Sequence, residues 1–292
     1  MSLFMDRLVE WIKQNQYPVY GVAQVLGGDE PEYRSLQTAN PCQNSYSVAK
    51  AFVVTAIGIL CDRGLLSTED FVIGLLGDEL SAATKAHMDP RWNGVTVDTV
   101  LSHRLGLPHN FLDIDCCDAT QFGNDYLDYL LTYPLCGDHG GERVYTDGAY
   151  YLLSRVVEAV AGMRLDVFLW RELFSKLGFR EVAWSSCPMG HTMGATGLYI
   201  RTDDMVKLGA LYLDGGCYRG ERILSSEWVD TVLTRGYELR SNAAGVIRKG
   251  GMRGQMLAIF PKQNRAVAWH ACGFGESDRL LEWIASDLET DA

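Results

Sequence analysis

The sequence predicts an α/β protein with sheet elements at both ends of the chain and a mostly helical segment between them. Three observations carry this expectation. Strand-like runs bounded by turn residues occur at Val19 to Leu26 and again between Gly254 and Cys272. A continuous apolar run of helix length extends from Ser47 to Gly64. From Ser67 to about Thr192, helical segments are joined by Gly-, Pro- and Asp-rich loops.

At 292 residues the chain can bury a large core in one or two domains. Its 47% hydrophobic and 22% charged residues match an ordinary soluble globular protein. A formal net charge of −11 argues against nucleic acid or an anionic membrane as the main partner.

The first element is a helix. Leu3, Phe4, Leu8, Val9, Trp11 and Ile12 fall on one face, and Asp6, Arg7 and Glu10 break any continuous apolar stretch. That pattern is not a signal peptide, and no run in the chain reaches the length of a membrane span. Val19 to Leu26 then reads as a strand, Gly27 to Glu30 as a turn, and Tyr33 to Thr38 as a second strand. The Ser47 run follows as a buried helix, since it is apolar nearly all round. Within the insertion, Val97 to Leu101, Tyr126 to Leu131 and Ala149 to Ala161 are helical.

Beyond Thr202, DDMVKLGALYLDGG forms a helix stopped by Gly215 and Gly216. SSEWVDTVL starts another, with Ser225 or Ser226 as N-cap. Gly254 to Phe260 and Ala266 to Cys272 are strands joined by a turn at Pro261 to Asn264. Ser277 to Leu288 closes the chain as an amphipathic helix. The expected domains are a discontinuous sheet domain, 1–68 with 210–292, and a helical insertion, 69–209, with the active site at their interface.

Eight cysteines are scattered without a C-x-x-C pair, and Cys61 lies inside the apolar helix. Such scatter fits reduced, mostly buried thiols in a cytoplasmic protein better than a disulfide framework. The six histidines show no ligand spacing with them, so neither a metal nor another cofactor is expected.

The chemistry concentrates at Ser47-Val48-Ala49-Lys50. Lys50 is the only charge between Ser47 and Asp62, and three residues on a helix put its amine on the face of the hydroxyl. Burial disfavours the ammonium form, which makes the amine a base for that hydroxyl. The helix N-terminus adds partial positive charge where an oxyanion would form. An N-cap serine followed by a snorkelling lysine is the structural alternative. A stray S-x-x-K is expected in roughly half of chains this long. The one here occurs once and heads the most apolar helix.

Together with the helical insertion and the C-terminal strands, this motif resembles the serine β-lactamase and penicillin-binding superfamily. The class C-like branch, with β-lactamase-related esterases and D-amino-peptidases, is most similar. Tyr145-Thr146-Asp147 resembles that branch's Tyr-x-Asn/Asp motif, with a loop before it and a long amphipathic helix after it. The same triplet at Tyr126 and Tyr212 falls within helices. Lys249-Gly250-Gly251 resembles the Lys/His-small-Gly motif that opens a strand beside the serine. Lys176 and Lys207 also begin Lys-x-Gly triplets, but at helix ends or interiors. His270, a rival for the His variant, lacks the glycine and is a partly buried strand residue. VTVDTVLSHRLGLP and GATGLYIRTDDMVKLGALYLDGG resemble two further segments of the branch, in family order.

The resemblance implies a β-lactamase-like antiparallel sheet flanked by helices. It implies that Ser47 attacks an acyl carbonyl of a small-molecule substrate and that Lys50 and Tyr145 share the proton work. The oxyanion hole would be the backbone N–H groups of Ser47 and Met252. Gly250 and Gly251 would leave room for substrate along the strand. Lys249 would place positive charge near Tyr145 or a substrate carboxylate.

Two departures bear on substrate. Asp147 stands where lactamases of this branch carry asparagine, and an ionised carboxylate accepts but cannot donate. Gly250 replaces a hydroxyl residue that helps bind a lactam carboxylate. Three readings stay open: a serine hydrolase of esterase, peptidase or amidase type; a true β-lactamase; and a catalytically idle binding module. The sequence does not specify an oligomeric state.

Overall fold

A computed structural model describes residues 2–290. The chain divides into two compact units, one of Met1–Ala51, Phe174–Ala183 and Leu198–Ala292, the other of Phe52–Leu173 and Trp184–Gly197. These boundaries differ from the breaks after residues 68 and 209 expected from the sequence. The first falls inside the Ala49–Asp62 helix, the last precedes the Leu198–Arg201 strand, and between them Phe174–Ala183 belongs to the first unit.

The first unit is built on a six-stranded antiparallel sheet. Its order is Glu32–Ser35, Val19–Leu26, Arg265–Ala271, Gln255–Phe260, Ile247–Gly251 and Arg240–Ser241. The central strands are buried almost throughout, because helices cover both faces. Leu3–Gln14 and Ser277–Thr290 place Phe4, Leu8, Ile12, Leu280, Ile284 and Leu288 against Val22, Met256, Val267 and Trp269. The Thr202–Leu213 helix packs on the strands Val19–Leu26 and Arg265–Ala271. Gly209 permits its approach, since a Cβ there would lie 2.9 Å from the Ala266 Cβ.

Most expected elements appear within a residue or two. The second strand is shorter than Tyr33 to Thr38, ending at Ser35. Leu36 and Gln37 both direct their N–H groups to the Tyr20 carbonyl, so the ladder stops where the chain turns aside. Ser225 caps the Ser226–Arg235 helix by accepting from the Trp228 N–H at 3.0 Å.

The second unit is helical around Asp147–Ala161, on which Val97–Leu101, Tyr126–Thr132 and Leu165–Leu169 pack. Thr146 caps this helix at its start, and Gly162, at φ 65°, ends it in the left-handed conformation that favours glycine. All eight cysteines are free thiols. Among the described residues no helix is long and apolar enough to cross a membrane.

Candidate active site

Ser47 sits in a 3₁₀ turn, Tyr46–Val48, that leads directly into the Ala49–Asp62 helix. The turn is fixed from outside. Ser45 donates both its N–H and its hydroxyl to the Leu198 carbonyl, at 2.8 and 2.9 Å, and the Asn44 side chain accepts from the Tyr46 N–H at 2.9 Å. Tyr46 is held at φ 46°, a conformation that side-chain-bearing residues adopt at a cost.

One helical turn on, the Lys50 Nζ lies 3.1 Å from the Ser47 Oγ. Lys50 is completely buried whereas Ser47 is half-buried, so the serine is partly exposed and its neighbour is not. That spacing is a hydrogen bond in either protonation state. An ammonium donates to the hydroxyl, and a neutral amine accepts from it. Only the second arrangement draws the proton off the nucleophile.

The Ile247–Gly251 strand runs beside this turn within the same unit. Gly251 is needed for that approach, since a Cβ on it would overlap the Ser45 carbonyl oxygen. A Cβ on Gly250 would meet Met256 and the Gln255 carbonyl at ordinary contact distances of 3.7–4.0 Å, so a side chain could begin there without a clash. Met252 follows, 37% exposed. Lys249 is buried and forms an ion pair with buried Glu238, a partner for which the sequence holds no signal.

Tyr145, in the helical unit, is half-buried and ends the loop before the Asp147–Ala161 helix. Its ring lies 4.6 Å from that of His103, which also packs 5.0 Å from Tyr150. The Arg143 guanidinium is 5.7 Å from the Tyr145 ring centre. The His103 Nδ1 accepts from the Thr146 N–H at 3.4 Å, and the His103 carbonyl accepts from the Val144 N–H at 2.9 Å. His103 thus braces Tyr145 by ring contact and by both flanking amides. In the sequence, this histidine stands out only as part of the VTVDTVLSHRLGLP segment.

Asp147 lies in the first turn of its helix, where the helix dipole favours a carboxylate. Its oxygens, with those of Asp113 and Asp115, fall within 4.8 Å of one another. An all-oxygen set of this kind suits a hard cation rather than zinc. Local donors also serve it. Asp113 accepts from the Asp115 and Cys116 N–H groups at 3.0 and 3.1 Å, and the Thr196 hydroxyl donates to Asp115.

His270 is fully rather than partly buried. Its Nδ1 is 2.9 Å from the Thr202 hydroxyl, and burial pushes its pKa down to about 3, so the ring stays neutral. Lys207 is interior to its helix, tied to Asp204 and the Gly178 carbonyl at 2.7 Å each. Tyr126 and Tyr212 are both helical.

The thiols differ sharply. Burial pushes Cys61 up to about 12, and burial together with Glu181 pushes Cys42 up to about 11. Exposed Cys272 is instead held below the usual thiol value, first by a hydrogen bond from Tyr20 and then by Arg253. Since the thiolate is the reactive form, iodoacetamide at neutral pH is expected to label Cys272 before Cys42 and Cys61. Peptide mass spectrometry over a time course checks the order, and earlier labelling of Cys61 would contradict it.

An antiparallel sheet between helices, with a Ser-x-x-Lys pair opening a buried helix, defines a protein of the serine β-lactamase and penicillin-binding type. The Beta-lactamase family model matches residues 20–290, and the chain belongs to that family. It is 26% identical over 209 residues to the 6-aminohexanoate-dimer hydrolase of Paenarthrobacter ureafaciens, a match covering 65% of this chain and 50% of that protein. The chain therefore spans half the length of that relative.

Its fold is similar to the octameric penicillin-binding protein homologue from Pyrococcus abyssi, with a TM-score of 0.75 and 16% identity over 98% of this chain and 77% of that one. It is similar also to EstCE1, described as a hydrolase with promiscuous acyltransferase activity, with a TM-score of 0.70 and 15% identity over 98% of each chain. Identities this low establish the fold alone. The chain has the fold and motif of a serine hydrolase.

Proposed function

We propose that the chain hydrolyses a small ester or amide through an acyl-enzyme on Ser47. The observation that carries this is the 3.1 Å contact between a half-buried Ser47 hydroxyl and a fully buried Lys50 amine. The Ser47 Oγ attacks the acyl carbon and its proton passes to Lys50, while the carbonyl π electrons move onto oxygen. The N–H groups of Ser47 and Met252 receive that oxyanion. Collapse of the tetrahedral adduct breaks the bond to the alcohol or amine, which leaves with a proton from the Lys50–Tyr145 pair. Water then cleaves the acyl-serine by the same steps in reverse order. Tyr145 is assigned its share of the proton work by motif.

An ester or amide is favoured over a β-lactam for three reasons. Asp147 offers no amide donor, Gly250 offers no hydroxyl, and the Lys249 charge is already met by Glu238. The relative named for the 6-aminohexanoate dimer acts on a substrate joined by an amide, which is compatible with this preference.

Purified protein assayed with p-nitrophenyl acetate, 6-aminohexanoate dimer, D-alanyl-D-alanine and the chromogenic cephalosporin nitrocefin tests the proposal. Turnover of an ester or amide above nitrocefin is expected. Preferential hydrolysis of nitrocefin would establish a β-lactamase instead. No turnover, with no fluorophosphonate adduct on folded protein, would establish a binding module.

Within this mechanism, His103→Ala is expected to lower kcat about 10- to 100-fold, because a misplaced proton-transfer group costs rates of that order. Steady-state kinetics on p-nitrophenyl acetate checks it. An unchanged kcat in a folded variant would show that Tyr145 holds its place without the imidazole.

A further inference from the structure

Two segments of the sheet unit carry the N–H groups assigned above to the oxyanion, and each N–H adjoins a residue in an unfavourable backbone conformation. Tyr46, immediately before Ser47, has φ 46°; Arg253, immediately after Met252, has φ 61° and ψ 14°. Left-handed φ values at residues other than glycine persist only where the surroundings impose them. The surroundings are visible on both sides. Ser45 is tied to Leu198, and Asn44 to Tyr46, as described. The Arg253 carbonyl accepts from the Phe274 N–H at 3.1 Å, and the next carbonyl, of Gly254, accepts from the Ser277 hydroxyl at 2.9 Å. Gly254, at φ 97°, has no room for a Cβ against Phe274.

The two strained residues meet. The Arg253 guanidinium lies over the Tyr46 ring, 5.9 Å from its centre, at the outer range of a cation–π contact. Close to this stack the backbones also touch, since Gly251 abuts the Ser45 carbonyl. Arg253 therefore joins the turn that carries Ser47 to the turn that carries Met252, outside the Ser47–Lys50 pair.

We propose that Arg253, through its stack on Tyr46, is a positioning residue that fixes the spacing of the Ser47 and Met252 N–H groups. The role rests on the acyl-enzyme reading of this site. Oxyanion donors act only when held at hydrogen-bond distance from the place where charge develops, and the loss of one costs roughly 10²- to 10³-fold in kcat. A residue that holds two such donors in register influences kcat more than KM, because the oxyanion exists only in the transition state and the intermediate.

Arg253→Gly is the informative variant. Glycine accepts the left-handed φ without strain, so the substitution deletes the guanidinium and leaves the turn its conformation. For p-nitrophenyl acetate, kcat is expected to fall about 10-fold or more, with KM changed less than about twofold. Arg253→Lys should recover most of that loss by restoring a cation over the ring. Tyr46→Leu should lower kcat similarly, and the double variant should be no worse than the weaker single one, as expected of residues acting through one contact.

Circular dichroism and a fluorophosphonate adduct on Ser47 establish that each variant is folded and its nucleophile present. Wild-type kcat in Arg253→Gly would overturn the proposal. So would a loss confined to KM, which would make Arg253 a substrate-binding group, or independent, multiplying effects of the two single variants. Absence of the adduct and of turnover in the wild type would instead overturn the acyl-enzyme reading, and the positioning role with it.

Discussion

Ser47→Ala is expected to lower kcat on any substrate the chain turns over by on the order of 10⁴-fold or more, the scale seen when a covalent nucleophile is deleted. The fold should survive. The side chain is half-buried, its removal leaves a void of one oxygen, and Lys50 keeps further interactions besides the 3.1 Å contact with the hydroxyl. The variant should therefore melt within a few degrees of the wild type while losing its fluorophosphonate adduct in intact-mass spectra. Lys50→Met should approach the same kinetic loss by a different route, leaving the hydroxyl with no base beside it. Full activity in Ser47→Ala would remove the mechanism and direct attention to another nucleophile. Exposed Cys272 would then be the first to examine, and prior alkylation with iodoacetamide would separate the two cases.

How far such features could be foreseen depended on the range of the interactions that create them. The Val19–Leu26 strand and the Ser47 helix are written in local pattern: an apolar run between turn residues, and an apolar stretch with a single charge. Lys50 was legible as a buried amine for that reason. The 3₁₀ turn that presents Ser47 was not. Its shape follows from Ser45 bonding a carbonyl 153 residues away, which no local pattern encodes. Gly251 was expected to clear space for substrate, whereas the Ser45 carbonyl already requires a glycine there. Tyr145 could be singled out by the loop before it and the helix after it. Its brace, His103, lies 42 residues earlier at φ 56°, and only the folded helical unit shows the two rings together. The gathering of Asp113 and Asp115 at Asp147 is similarly a product of tertiary packing.

The largest expected effect on stability lies at Lys249, whose partner Glu238 was equally invisible in the sequence. Both side chains are nearly excluded from water, at 9% and 2% exposure. Removing one member of a buried pair strips the other charge of its ion-pair partner, which costs up to about 3–5 kcal/mol. Glu238→Gln preserves shape and hydrogen-bonding capacity while deleting the charge, so it isolates that cost. It is expected to lower the melting temperature by roughly 6–10 °C, taking about 2 °C per kcal/mol, the low end of the range for chains somewhat smaller than this one. Glu238→Leu combined with Lys249→Met should recover most of the loss, because apolar residues of similar volume often replace a buried pair without penalty. Thermal unfolding of the single and double variants measures this, and an unchanged melting temperature in Glu238→Gln would show that the pair is not an uncompensated-charge hazard. The stable double variant then separates two roles for Lys249. If ester turnover persists, the lysine serves the Ile247–Gly251 strand through Glu238. If turnover is lost while the melting temperature is retained, its charge acts on the substrate despite the carboxylate beside it.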